Sequence, residues 1–273
     1  MTTSAKVIAH SISGEGKELF TLQLRYQRFV HSEFMTHRVF SRNASSSRAI
    51  PVAKMIEQVR NDPAMPVHWG ANQPGMQARQ ELEGFSLEMT QHQWKLAATR
   101  AADSAYVMME LGVHKQVANR VLEPFQWISV VVTATDWDNF FALRDHEDAD
   151  PNICYLAKAM KTAMSNSKPT LLLEGEWHWP YVTTQERVDY YGKDELLSKV
   201  SAARCARVSY LTHDGLTPDI AKDIELFDRL AGGIPLHASP LEHQATPGHT
   251  DTGNFNGFTQ FRKLWEKQIY VRS

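Results

Sequence analysis

One stretch of the sequence, residues 36–48, concentrates basic and polar side chains that a hydrophobic core would not accept. It holds His37, a run of serines, and three arginines: Arg38, Arg42 and Arg48. Arginine offers a planar fork of donors that matches phosphate oxygens, while serine hydroxyls and the amides of a tight loop complete an anion-binding surface. The stretch therefore predicts a loop that binds a phosphorylated or anionic flat ligand. A solvated basic loop is the alternative that composition leaves open.

Composition restricts the class of protein. At 273 residues and 42% hydrophobic, the chain can bury a large core as one domain or two intimate ones. The net charge is −2, from 29 basic and 31 acidic residues, so the chain lacks the global positive field typical of nucleic-acid binding. We therefore expect a local anion site, a small-molecule partner and no nucleic acid.

Neither a membrane nor a metal is indicated. No apolar run reaches the length of a signal peptide or a membrane span, so we expect a cytoplasmic protein with no membrane partner. The two cysteines, Cys154 and Cys205, lack metal-type spacing. His237 and His243 are six residues apart with Glu242 beside the second, so zinc remains a minority alternative, and we predict no metal site.

Hydrophobic periodicity predicts a mixture of strands and helices. Residues 18–24 alternate as a strand, and a short helix then places Glu33 and His37 near its end, with a loop from 38 to 48. Residues 82–111 are helical in pattern and Gly112 breaks them, while residues 127–132 indicate a buried strand. The segment 57–80 is rich in Pro, Gly, Asn and Gln, which is typical of a surface excursion or a functional loop.

Arg144 stands out on one predicted helix. It follows Trp137, Phe140 and Phe141 with the spacing of an apolar helix face. A charge on such a face is costly unless it meets an anion or a carboxylate, so Arg144 is a candidate site residue. The alternative is a structural ion pair with Asp148 or Asp150.

The polar stretch resembles the signature of the flavin-dependent thymidylate synthases, which is Arg-His-Arg, seven residues and Ser. Here His37-Arg38 is followed by seven residues and Ser46, with Thr36 at the first position. The blocks at residues 112–124 and 139–144 resemble the Gly-Val … Arg … Pro and Asn-x-x-x-Leu-Arg blocks that follow the signature in that family.

Two further family blocks occur in an unexpected order. Ala-Arg-Val-Ser-Tyr at 206–210 and His-Ala-Ser-Pro-Leu-Glu-His at 237–243 are similar to blocks that precede the signature in the family, yet here both follow it. The order indicates a circular permutation, which surface termini tolerate. We expect a mixed α/β (α+β) single domain over residues 1–273, with a signature half at 1–160, a linker at about 161–193 and a permuted block at 194–273.

The resemblance implies a reaction. In that family C5 of dUMP is methylated to give dTMP, with the methylene from methylenetetrahydrofolate and the reducing equivalents from NADPH through FAD. The sequence agrees, because it has no Pro-Cys-His nucleophile for a thiolate route and no G-x-G-x-x-G for a Rossmann flavin site. The resemblance also implies a homotetramer with the flavin between subunits, so residues 237–243 and 37–48 could meet across an interface.

The resemblance also implies roles for individual residues. Arg144, near the pyrimidine ring, and Ser46 are the catalytic candidates. The residues that match nucleotide-binding positions are Glu33, Ser46, Ser47, Arg48, Arg120 and Arg144. The residues that match flavin-binding positions are His37, Arg38, Val39, Asn43, Asn139, Ser209, His237 and Ser239.

Several positions depart from the family pattern. Thr36 stands where the family has Arg, and Glu33 where it has Gln; in the same way Ala44 replaces Glu and Thr133 replaces Asn. Exchanging Gln for Glu changes the hydrogen bonds offered to a base. The sequence therefore leaves open dCMP or UMP as substrate, hydroxymethylation as reaction, and a non-catalytic nucleotide- or flavin-binding module on the same fold.

Overall fold

The computed structural model describes residues 2–208 and 219–271. The strands of this part are β1 Ser4–Ser13, β2 Glu18–Gln27, β3 Ser41–Ala44, β4 Trp127–Ala134, β5 Thr170–Leu172, β6 Ala245–Pro247 and β7 Phe258–Gln260. Its α-helices are α1 His31–Met35, α2 Val52–Asn61, α3 Gly84–Glu110, α4 Lys115–Ala118, α5 Asp138–Arg144, α6 Pro151–Ser165, α7 Thr184–Asp189, α8 Asp194–Arg207, α9 Ile220–Ala231 and α10 Phe261–Val271. Within these ranges, no helix combines the length and the apolar character needed to cross a membrane.

A five-stranded sheet organises the chain, in the order β3-β4-β2-β1-β5. The neighbours are antiparallel except β5, which runs parallel to β1. β6 and β7 form a separate two-stranded sheet. The predicted fold class, a mixed α/β domain, is confirmed.

The central strand β4 is buried on both faces, which its unbroken apolar sequence predicts. Val130 and Val132 face a core that includes Phe140 of α5 and Ile153 of α6. Val131 points the other way, against Cys205 of α8. The sheet is therefore packed between helices of the signature half and a helix of the permuted half.

The predicted strands and helices around the signature are confirmed, and the prediction of a continuous loop from 38 to 48 is wrong. Ser41–Ala44 forms β3 and pairs with β4 in the register Ser41↔Thr133 to Ala44↔Val130. Its polar side chains give no apolar alternation in the sequence, and the pairing depends on a partner strand almost ninety positions away. Residues 161–193, predicted as a linker, contain the end of α6, β5 and α7.

The C-terminal segment fastens the outer side of β3. β3 is at the edge of the sheet. The side-chain amide of Asn254 donates to the carbonyl of Val39 over 2.7 Å, and Gln260 donates to the hydroxyl of Ser41 over 3.3 Å. The side chains of Asn254 and Gln260 thus form hydrogen bonds along the edge strand β3, which has no partner strand on this side in the described part of the chain.

A chain of hydrogen bonds crosses the sheet through buried side chains. The Ser11 hydroxyl and His178 Nδ1 are 2.8 Å apart, and His178 Nε2 lies 2.8 Å from the Thr21 hydroxyl. Thr21 bonds Thr133 over 2.7 Å, and Thr133 bonds His243 Nδ1 over 2.8 Å. Desolvation by burial lowers the pKa of both imidazoles to about 3, so both are neutral in the folded chain.

These two histidines predict a loss of stability in acid. The unfolded chain protonates them near pH 6.5, whereas the folded chain resists protonation down to about pH 3. Between these values the free energy of unfolding should fall by about 1.4 kcal/mol per pH unit for each histidine, and the contribution is complete above pH 6.5. Denaturant unfolding at several pH values measures the slope.

His178→Gln should remove one histidine's share of this slope, since an amide keeps polar atoms there and cannot titrate. His249→Gln, at a largely exposed position, is the matched control and should leave the slope intact. An equal slope in the His178 variant and the wild type would contradict the assignment.

Candidate active site

Arg144, at the end of α5, is held by three side chains of the signature region. Its Nη1 donates to Glu33 Oε2 over 3.1 Å, its Nε donates to His37 Nε2 over 3.1 Å, and its Nη2 donates to the Thr36 hydroxyl over 3.3 Å. Glu33 lies in α1, and Thr36 and His37 follow three and four positions later at and beyond the end of this helix, which brings the three side chains to one side. The sequence indicated Arg144 on the α5 face and the signature region as two separate features, and the structure brings them into contact.

The alternative structural pair for Arg144 is wrong. Asp148 binds Arg79 over 2.7 Å, and Asp150 caps α6 by accepting from the amides of residues 152 and 153. The carboxylate that meets Arg144 is Glu33, 111 positions earlier in the chain. A long-range contact of this kind has no signal in helix periodicity.

Two departures from the family signature meet at this guanidinium. Thr36 contributes a small neutral acceptor where an arginine would bring a second cation, and Glu33 contributes a negative charge. Burial, followed by the nearby Asp150, raises the pKa of Glu33, and Arg144 opposes that shift. Burial and the charge of Arg144 lower the pKa of His37, which suits a neutral imidazole that accepts from Arg144 Nε.

The Arg144 cavity is a cleft of about 1110 Å³ with Glu33 and Arg144 on its wall. Residues 68–82, here called the strap, form its opposite side. Trp69 and Leu82 pair through their backbones, and Arg79 fastens the strap to the connection between α5 and α6. The polar segment that the sequence marked as an excursion or functional loop thus lines a cavity.

A second cavity, the Asn139 cavity, lies on the other side of α5. It has a volume of about 610 Å³. Four residues that match flavin-binding positions line it: His37, Arg38, Val39 and Asn139. The rings of Trp137 and Phe141 share the wall, so the cavity offers flat apolar surfaces beside an exposed guanidinium and an amide.

The third, the Arg48 cavity, joins three distant stretches of the chain in about 490 Å³. The signature contributes Asn43, Ser46 and Arg48, and the permuted block contributes His237 and Ser239. The sequence reasoning missed three further residues at this cavity: His114, Lys115 and Gln116. None of the described residues that line it is acidic, so their electrostatic potential favours an anion.

Residues 237–240 and the signature meet at the Arg48 cavity within a single chain. The permuted block therefore needs no subunit interface to reach residues 43–48, in contrast to the possibility raised from the sequence.

Ser47 and Arg120, both predicted to bind the nucleotide, are bonded to Glu123 in this structure. Glu123 Oε1 accepts from the Ser47 hydroxyl over 2.9 Å, from Arg120 over 2.9 Å and from Arg28 over 3.0 Å. Ser47 is buried there, so its contribution within one chain is to hold the loop in place. Ser209, predicted to bind flavin, lies outside the described residues.

Asn119 is a positioning residue that the sequence reasoning missed. It is fully buried, and its amide donates to the carbonyls of Ser47 and Ile50 over 2.6 and 2.9 Å. These bonds fix the backbone that carries Ser46 and Arg48. The available signal was an asparagine between Ala118 and Leu122, where a buried polar side chain must have partners.

Comparison with known proteins identifies the family. The family model described as thymidylate synthase complementing protein matches residues 17–170, which contain the signature, α5 and the strap. The chain belongs to this family. The blocks at 206–210 and 237–243 fall beyond the matched range, although the second one lines a cavity with the signature.

The solved structures that match this chain include two of one methylase. They are described as the UMP/dUMP methylase PolB from Streptomyces cacaoi, bound with 5-Br dUMP in one structure and with 5-Br UMP in the other. The first is 15% identical, covers 60% of this chain and 90% of that chain, and has a TM-score of 0.49. The second is 16% identical, covers 60% and 88%, and has a TM-score of 0.48. The search of curated proteins finds no significant match.

Family membership gives the function in coarse terms, namely an enzyme that acts on nucleotides. The three cavities around the signature are the places where such a substrate and its cofactor could bind.

The Asn119 bonds predict a stability effect. Asn119→Ala should lower the free energy of unfolding by about 2–4 kcal/mol, because two buried carbonyls lose their donor. Chemical denaturation measures this change. Asn72→Ala, at an exposed position in the strap, is the control and should stay within about 0.5 kcal/mol of wild type. A neutral Asn119 variant would show that other donors hold the loop.

Proposed function

We propose that this protein catalyses flavin-dependent methylation at C5 of a pyrimidine deoxynucleotide, with methylenetetrahydrofolate as carbon donor and NADPH as reductant. In its family form the reaction converts dUMP to dTMP. The observation that carries the proposal is the Arg48 cavity, where the signature and the permuted block supply basic and hydroxyl side chains and no acidic residue among those that the structure describes. A cavity of this kind suits a nucleotide phosphate.

Ser46 and Arg48 are the proposed phosphate ligands. Arg48 is exposed, and no described side chain is bonded to its guanidinium, so its donors are available. Lys115 lies in the same cavity and donates to the carbonyl of Ala49 over 3.2 Å, which brings a second cation to this loop. A forked guanidinium, an ammonium and hydroxyls together match a phosphate dianion.

The Asn139 cavity fits the flavin ring. Its volume is in the range of small-molecule sites, and Arg38 and Asn139 are exposed donors beside aromatic rings. His37, Arg38, Val39 and Asn139 would hold one part of FAD, and Asn43, His237 and Ser239 in the Arg48 cavity would hold another. When bound and reduced by NADPH, FAD supplies the hydride that completes the methyl group.

Arg144 is proposed to act on the pyrimidine ring. An enolate-type negative charge on the ring and its carbonyl makes C5 nucleophilic. This charge is consumed as C5 forms its bond to the donated carbon, and C5 later loses its hydrogen as a proton. A fixed guanidinium stabilises this charge more than it stabilises the resting base. The bonds from Glu33, Thr36 and His37 hold Arg144 in one orientation before the substrate arrives.

The proposed site is completed between copies in a homotetramer. Arg144 and Arg48 line different cavities of one chain. Exposed apolar side chains at the rims support association, among them Val39 at 46% and Leu143 at 53% exposure. A second copy would bring the phosphate ligands of one chain to the base-facing arginine of another.

The purified protein tests the function directly. It should carry a yellow flavin spectrum and transfer a labelled carbon from methylenetetrahydrofolate to a pyrimidine deoxynucleotide when NADPH is supplied. Arg144→Lys should fold and keep its flavin but lose most turnover, with nucleotide affinity falling less, since ammonium cannot reproduce the planar fork. A flavin-bound protein that binds nucleotide without turnover under any of these conditions would favour the non-catalytic module.

Arg48→Ala should weaken nucleotide binding by about 2–4 kcal/mol, because the variant loses a charge-assisted pair. Flavin content should be retained, and titration calorimetry measures the affinity. Arg100→Ala, at an exposed position of α3, is the matched control and should bind normally.

Mixing two impaired variants tests the site between copies. Arg48→Ala and Arg144→Lys should recover part of the activity after subunit exchange, because mixed oligomers contain sites with both intact arginines. Recovery would be absent if each site used both arginines of a single chain.

A further inference from the structure

Glu33 and Arg144 leave polar atoms free on the wall of the Arg144 cavity. A guanidinium has five N–H groups. In Arg144, Nε–H binds His37, one N–H of Nη1 binds Glu33, and one N–H of Nη2 binds Thr36. The second N–H of Nη1 and that of Nη2 have no partner among the described residues. Within the same part of the chain, Glu33 uses only Oε2, so Oε1 remains an acceptor. The Arg144 side chain keeps 19% of its surface exposed and the Glu33 side chain keeps 36%, which leaves these atoms accessible from the cavity.

The free atoms follow a defined order. Glu33 is bonded to Nη1, and Thr36 is bonded to Nη2. Along the guanidinium the cavity therefore offers an acceptor from Glu33, a donor from Nη1 and a donor from Nη2. A planar ligand edge that matches all three must present a donor followed by two acceptors.

Pyrimidine bases differ in this respect. The Watson–Crick edge of cytosine presents the N4 amino donor, then the N3 acceptor, then the O2 acceptor, which matches the three free atoms. The edge of uracil presents an acceptor, a donor and an acceptor. In the same register, its first acceptor faces the Glu33 acceptor, its donor faces the Nη1 donor, and only its last acceptor pairs. A donor or acceptor of the site that is left unpaired by the bound ligand costs more binding free energy than the loss of an apolar contact.

Glu33 makes this order unambiguous, because of its charge. A glutamine at this position could turn its amide and offer either an acceptor or a donor, whereas an ionised carboxylate only accepts. Thr36 holds Nη2 without adding a cation, which allows the carboxylate and guanidinium to remain paired. Met76 and Leu143 line the same cavity and supply apolar contact for the faces of a flat ring.

We infer that Glu33 and Arg144 together read the edge of cytosine, so that the preferred substrate is a cytosine deoxynucleotide such as dCMP. This inference rests on the proposed function, because it takes the base to bind in the Arg144 cavity. The product would be the 5-methylcytosine nucleotide, formed by the same transfer of a carbon to C5, with loss of the C5 proton and gain of a hydride.

Titration calorimetry of the flavin-loaded protein with dCMP and with dUMP tests the inference. We expect dCMP to bind at least about tenfold more tightly, equivalent to one mismatched hydrogen bond. Glu33→Gln should reduce that ratio to near one, with an unchanged flavin spectrum as evidence of folding. Glu195→Gln removes a carboxylate that pairs with Lys199 on α8, away from the Arg144 cavity, and should keep the wild-type ratio.

The outcomes separate the inference from the proposed function. Equal or tighter binding of dUMP by the wild-type protein would overturn the cytosine preference and leave pyrimidine methylation standing. A strong preference for dCMP that survives in Glu33→Gln would overturn the role of Glu33. Failure to bind either nucleotide would overturn the inference together with the proposed function.

Discussion

The antiparallel pairing of β3 with β4 is the interaction on which the arrangement of the site depends. Ser41–Ala44 divides the signature in two, with His37 and Arg38 before the strand and Ser46 and Arg48 after it. Four residues of extended chain span about 13 Å, so the two parts cannot close around one small group. The signature therefore faces two cavities, one on each side of a strand, and the bonds of Asn119 and Gln260 maintain that separation.

The charge around Arg144 follows from two exchanged residues acting together. With Glu33 in place of glutamine and Thr36 in place of arginine, the cluster is close to neutral when the carboxylate is ionised. An arginine at position 36 would add a cation beside Arg144, and the carboxylate alone would then have two cations to balance. Because both residues contact the same guanidinium, neither exchange is understandable by itself.

The sequence was sufficient for features with local causes. The alternation in residues 18–24, the apolar run of β4 and the break at Gly112 each depend on neighbours in the chain, and the structure agrees with them. Family motifs also indicated Arg144 and Ser46 before any geometry was known. The pairing of Glu33 with Arg144, the strand at 41–44 and the turn of Arg120 toward Glu123 depend on contacts between distant segments. Periodicity contains no information on such contacts, and the motif could not show that its residues separate into different cavities.

The attachment of Asn254 and Gln260 to the signature strand has a consequence for how the chain acquires its structure. These contacts join residues more than two hundred positions apart, and closing such long loops slows folding because chain entropy is lost before the contact forms. Until the C-terminal segment is in place, the outer edge of β3 is an unprotected template for pairing with other chains. Asn254 and Gln260 are synthesised long after the signature strand whose edge they cover, and aggregation is most favoured in the interval before they dock.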